Sequence, residues 1–188
     1  MRTTTLVIAS LLLGTTGLPA QARRTTPELR PFLGVSIPTG AQRNLFGEAP
    51  LLGLGGALQL RPNLHLVGTF AWVPGQNEYP VADDNVSIFQ YDVGVELSVE
   101  RAMGSWLVRP FVGLGGGART YAYQSALLAD KTCAAGYGAL GSEFLLGAAA
   151  LRLEARDNLF CYRSPVEGDE SHTRNDLGLS LGLSYHFR

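Results

Sequence analysis

The chain ends in Leu177-Gly178-Leu179-Ser180-Leu181-Gly182-Leu183-Ser184-Tyr185-His186-Phe187-Arg188, and the reading of this stretch decides the fold. From Leu177 to Phe187 every odd position is large and apolar, while the even positions are Gly, Ser or His. Successive side chains of a strand point to opposite faces, so the segment has one apolar face and one small or polar face. A helix would scatter the same leucines around its circumference. Residues 175–188 therefore form a strand, long enough at about 3.3 Å per residue to cross a bilayer when tilted.

The same period runs back through the chain. Residues 23–29 read as a polar lead-in, and a first strand over 30–37 sets Leu33, Val35 and Ile37 on one face. A second sets Leu52, Leu54, Leu58 and Leu60 against Gly53, Gly55, Ala57, Gln59 and Arg61. Arg61-Pro62-Asn63 makes a tight turn. A third strand sets Leu64, Leu66, Phe70 and Trp72 against His65, Val67, Thr69 and Ala71. A fourth alternates Phe89, Tyr91, Val93, Val95, Leu97 and Val99 with Gln90, Asp92, Gly94, Glu96 and Ser98. A turn over 101–105 leads to a fifth, Trp106 to about Tyr123, and residues 124–135 read as a loop. A sixth over 136–145 is rich in glycine, and its register stays open. A seventh sets Leu151, Leu153 and Ala155 against Arg152, Glu154 and Arg156, and a loop over 161–174 precedes the last. The pattern predicts eight strands, with short turns near Pro62, Gly104 and Gly147 and four loops of about a dozen residues between them.

The N-terminus is of another kind. Arg2, the apolar run Leu6 to Leu13, and Ala20-Gln21-Ala22 form a secretory leader with a small-x-small cleavage site. Residues 1–22 are expected to be a signal peptide and 23–188 one barrel domain. No cysteine follows the cleavage site, so no lipid anchor is expected. With 15 basic and 16 acidic residues, the chain lacks the basic surplus of a nucleic-acid binder. No apolar run reaches the length of a membrane helix.

Alternation alone fits a soluble, lipocalin-like barrel as well as a membrane barrel. Export, the mix of charge with glycine and serine on the opposite faces, and aromatics near strand ends favour the membrane. Trp72, Trp106, Tyr185 and Phe187 are placed as an interfacial girdle. Val95, Leu114 and Leu181 then face hydrocarbon. The lumen receives Asp92, Glu96, Arg109, Arg119, Arg152, Glu154 and Arg156, with His65 and His186 near them. A barrel this narrow is filled by side chains, so these charges are expected to form a structural ion-pair network.

With leader, eight alternating strands, loop asymmetry and the ending Leu181 to Phe187, the mature chain resembles the OmpA/OmpX-type small outer-membrane barrels. The ending resembles the signal read by the barrel-assembly machinery, departing from it in the Arg188 that follows the aromatic. The resemblance implies an all-β, eight-stranded antiparallel up-and-down transmembrane β-barrel in the bacterial outer membrane. Outer-membrane lipid and lipopolysaccharide surround a monomer in this picture, and an extracellular ligand is allowed. The function it implies is non-enzymatic, structural or surface-interacting, through four extracellular loops. Small pores and lipid A-modifying enzymes are the alternatives.

Other motifs weigh less. Gly113-Leu114-Gly115-Gly116-Gly117-Ala118 matches a dinucleotide fingerprint, which requires a strand turning into a helix; here the alternation runs straight through. Asn85-Val86-Ser87 fits a glycosylation sequon that a bacterial barrel does not ordinarily use, and Glu167-Gly168-Asp169-Glu170 lacks a calcium-loop pattern. No cofactor or metal is expected. Ser184 and His186 share a face, and with Glu154 they are the weak catalytic candidates of a deacylase-like reading. Cys133 and Cys161 fall on loops of the same rim in an oxidising compartment, which predicts a disulfide between them.

Overall fold

The computed structural model describes residues 27–40, 43, 47–76, 85–123, 130–163 and 171–187. In chain order the strands are β1 (Pro27–Pro38), β2 (Ala49–Arg61), β3 (Leu64–Gln76), β4 (Asn85–Ser98), β5 (Arg101–Met103), β6 (Trp106–Tyr123), β7 (Lys131–Leu146), β8 (Ala149–Arg163) and β9 (Ser171–His186). The sheet order is β4-β3-β2-β1-β9-β8-β7-β6-β5, and β4 also pairs with β6, which closes the sheet on itself. Eight strands make the wall. β5 only continues the line of β4 along β6, after Ser98 opposite Phe111 comes Arg101 opposite Val108. The molecule is an eight-stranded antiparallel up-and-down transmembrane β-barrel.

Its wall is inverted relative to a soluble protein. On β9, Asp176, Gly178, Gly182 and Ser184 are buried while Leu179, Leu181, Leu183 and Tyr185 are exposed. Leu33, Leu54, Phe70, Val93, Leu114, Leu140 and Leu153 carry the exposed apolar belt round the other strands, with Leu114 66% exposed. Water would not tolerate so continuous an apolar surface; hydrocarbon does. The soluble-barrel alternative ends there.

Both described termini sit at the short-turn end, where Phe187 N donates to Pro27 O at 3.1 Å. Gly104 and Gly147 make two of the turns with φ of +62° and +73°, a region that costs glycine little. At the opposite end run the four connections 39–48, 77–84, 124–130 and 164–170.

The strands are longer than their sequence pattern suggests. β1 begins at Pro27, inside the expected lead-in, β7 begins at Lys131, inside an expected loop, and β8 and β9 run to Arg163 and from Ser171. Hydrogen-bonded pairing continues where alternation fades into Ala, Gly and Thr, so the connections are seven to ten residues rather than a dozen. The expected signal peptide, 1–22, lies outside the described residues, as does Glu167-Gly168-Asp169-Glu170.

Val95 is exposed on the outer wall, whereas a methyl group on lumenal Gly94 would strike Leu114 O and the Tyr137 hydroxyl. An outward Gly138→Ala meets nothing within 4 Å. Val95→Arg should cost about 2–4 kcal/mol in refolding into lipid vesicles. Gly94→Ala should also impair refolding, and Gly138→Ala should not. Equal yields for all three, read by urea titration in vesicles, would contradict the inside–outside assignment.

Candidate functional site in the barrel interior

Strand parity aims Glu28 and Arg30 of β1, His65 of β3, Asp92 and Glu96 of β4, and Arg109 of β6 into the lumen. Glu143 of β7 and Arg152, Glu154 and Arg156 of β8 join them. Removing this many charges from water is tolerable only if each finds partners. The carboxylates and guanidinium groups do, while neither ring nitrogen of His65 has a hydrogen-bond partner. Glu143, fully buried, accepts from Arg109 Nε at 2.7 Å and Arg152 Nη1 at 2.7 Å. Glu96 accepts from Arg152 Nη2 at 2.5 Å and Arg30 Nη1 at 3.2 Å. Glu28 accepts from Arg30 Nη2 at 2.5 Å and Arg109 Nη2 at 3.3 Å, and lies 3.0 Å from His186 Nδ1. Glu154 is held by Arg152 Nη2 and Arg156 Nε, both at 2.8 Å. Asp92 is held by Arg156 Nη1 at 3.1 Å and Gln90 Nε2 at 2.6 Å. His65, fully buried, stands 3.8 Å from Glu28.

Of the residues expected in the lumen, the structure joins Asp92, Glu96, Arg109, Arg152, Glu154 and Arg156 into one network. Arg119 stands apart, paired with Asp176 at 2.6 Å and stacked 4.3 Å over the Phe160 ring. Glu28, Arg30, Glu143 and Asp176 were not anticipated. Asp176 shares the parity of Gly178 and Ser184, which would have found it.

Above that pair the interior turns apolar: Ala49, Val73, Val86, Ile88, Tyr121, Tyr123 and Phe160 cluster at the long-connection end. Between cluster and network lies a cavity of about 40 Å³, lined in part by Ser36, Thr69, Gln90, Arg156, Asn158 and Ser180. That is room for a few waters, not a conduit.

The catalytic candidates are not brought together. Ser184 is fully buried, and its hydroxyl donates to Glu143 at 3.1 Å; His186 faces Glu28, and Glu154 is occupied by two arginines. Among the described residues no group of His, Cys, Asp and Glu is arranged to hold a metal ion. Trp72 is exposed towards the long-connection end. Trp106, Tyr185 and Phe187 are exposed at the short-turn end, the last two edge to face at 5.0 Å.

The expected disulfide is not formed; both cysteines are free. Ala135 pairs with Phe160 across β7 and β8, so Cys133, two residues out, and Cys161, one residue out, differ in parity. Cys133 turns inward and donates to Arg119 O at 3.6 Å, while Cys161 turns outward. The prediction assumed loops where both strands in fact continue, and a strand forces adjacent positions onto opposite faces.

The architecture has solved counterparts. The structure of neisserial surface protein A matches with a TM-score of 0.65 at 10% identity, covering 86% of this chain and 97% of that one. The N-terminal barrel domain of Pseudomonas aeruginosa OprF matches with a TM-score of 0.56 at 13% identity, covering 87% and 98%. Outer membrane protein W of E. coli matches with 0.53 at 16% identity, covering 87% and 98%. The fold is that of the small outer-membrane barrels. These likenesses extend to fold alone; no protein-family model matches the chain, and no curated protein is similar to it in sequence.

Removing one member of a sealed ion network strands its partners. Glu143→Ala should therefore destabilise the barrel by about 3–5 kcal/mol, against less than about 0.5 kcal/mol for exposed Glu48→Ala. Urea unfolding in detergent micelles measures both. Denatured, unreduced protein should take up two equivalents of a thiol alkylator; uptake of none would restore the disulfide.

Proposed function

We propose that this chain is an integral outer-membrane barrel with a sealed interior, working as a structural or surface-interaction protein through its long-connection end. The observation that carries this is the filled lumen: an interlocked ionic network below, an apolar cluster above, and a cavity of only about 40 Å³ between them. A pore needs a continuous water path, and lipid modification needs a nucleophile open to lipid; Ser184 is closed to both. Outer-membrane counterparts of the same fold support the location. In this reading the termini are periplasmic and the four connections 39–48, 77–84, 124–130 and 164–170 face outside. Lipid and lipopolysaccharide surround a monomer, and the assembly machinery reads the C-terminal strand.

Two measurements test it together. Purified barrel in a planar bilayer should add no conductance steps, and lipid A from cells with and without the protein should give the same mass spectrum. Discrete openings would make it a channel, and a shifted lipid A mass an enzyme. An epitope inserted at Gln42 should be reached by antibody on intact cells, and one appended to the C-terminus should not.

A further inference from the structure

The ladder that joins the first strand to the last has a break in it. From Leu29 opposite Tyr185 the β1–β9 register passes to Phe32 opposite Gly182, with no rung at Arg30 or Pro31. Thr39 N donates to Asn175 O at 3.2 Å and Phe187 N to Pro27 O at 3.1 Å, so the odd residues of this segment face β9. Pro31 is one of them. It has no N–H to give, and the carbonyl of Leu183, opposite it in this register, loses its ladder donor. Pro27, four residues below on the same edge, has no N–H either.

The effect repeats where the proline repeats. Val99 N donates to Pro110 O, which puts Pro110 on the edge of β6 that faces β4 and β5. There too the rungs skip, from Ser98 opposite Phe111 to Arg101 opposite Val108. That second break lies in the hairpin at the short-turn end. The break at Pro31 lies within the apolar belt, between exposed Leu29 and Leu33 on β1 and beside exposed Leu183 on β9. Hydrocarbon offers a bare carbonyl no partner, so a gap here costs more than one in water. Behind it lies the interior cavity, which touches Arg30, Pro31 and Phe32 of β1 and Ser180 and Gly182 of β9.

We infer that the β1–β9 seam is the moving joint of the wall, parting at Arg30 and Pro31 to open the interior cavity sideways. Below the break the seam is held by Phe187 N on Pro27 O and by His186 Nδ1, 3.0 Å from Glu28 Oε1. Above it the rungs resume at Phe32 and run to Pro38. The opening is therefore a slit of two rungs and not a strand coming away. Water from the cavity pairs with the backbone groups that the slit uncovers, which lowers the cost of parting at this place. The ionic floor and the apolar roof stay where they are. The seam thus moves in a barrel closed along its axis, and either reading can fail alone.

The test is amide hydrogen exchange of the whole barrel in phospholipid nanodiscs, read residue by residue by NMR. One strand supplies both the probe and its control. On β9 the amides of Leu181 and Leu183 point to β1, whereas those of Gly182 and Ser184, at the same depth, point to β8, as His186 N does in donating to Ala148 O. Protection factors of Leu181 and Leu183 should be about five- to thirtyfold below those of Gly182 and Ser184, the worth of one to two ladder bonds. Pro31→Val, which restores the donor opposite Leu183, should bring the two edges level. Pro110→Val, which mends the ladder in the hairpin, should leave β9 unchanged. Equal protection on both edges of wild-type β9, a difference that survives Pro31→Val, or the same levelling by Pro110→Val would each overturn the inference. Should Pro31→Val fail to insert, the two edges of wild-type β9 still decide.

Discussion

Everything in this barrel depends on matching charges that water cannot reach. Glu28, Asp92, Glu96, Glu143 and Glu154 interlock with Arg30, Arg109, Arg152 and Arg156, and the bonds run across the lumen as well as along the wall. Arg152 on β8 and Arg30 on β1 both reach Glu96 on β4. A buried ion pair is weak evidence of stability against an apolar substitute. Its strength here is specificity. A one-residue slip of β8 would turn Arg152, Glu154 and Arg156 into the bilayer and Leu151, Leu153 and Ala155 into the ionic lumen, so only one register satisfies both sides of the wall.

The network also has to be solid, and glycine makes it so. Lumenal glycines leave bare backbone, and aromatic rings from neighbouring strands lie down on it. Tyr137 covers Gly94 and Gly115, and Phe111 covers Gly141. The guanidinium of Arg152 stacks 3.5 Å over Phe111, and that of Arg156 4.1 Å over Tyr137. Backbone, ring and cation thus form layers whose flat faces fill most of a narrow interior, adding cation–π attraction to the ion pairs. Larger residues at the glycines would push rings and arginines off their carboxylates together.

The alternation of β9 and β4 was readable directly, because leucines facing lipid alternate with small or polar residues and nothing interrupts them. Legibility failed where that contrast failed. On β1 the outward row includes Pro31 beside Leu29, so the expected lead-in hid Glu28, while Arg30 opened the expected strand without being assigned to the lumen. On β7 Gly136, Gly138 and Ala139 occupy both faces, which left the parity of Glu143 open and turned Cys133 into a loop residue. Ser184 and His186 were placed on one face correctly. Their partners, Glu143 and Glu28, come from strands 41 and 158 residues away (184 − 143 and 186 − 28), and no local pattern encodes such a meeting.

Strand length differs round the wall. β6 has 18 residues, about 59 Å at the usual rise and about 45 Å once tilted by about 40°, against an apolar band of about 25 Å. β1 has only 12 residues and covers about 30 Å on the same reckoning. The surplus falls at different ends: residues 106–110 of β6 run past Ser98 of β4 at the short-turn end, whereas β8 and β9 run past Pro38 of β1 at the long-connection end. At that second end Val73, Val86, Ile88, Tyr121, Tyr123 and Phe160 give the strand ends a small apolar core of their own. Strand ends packed in this way are held by the barrel's own interior and not by lipid.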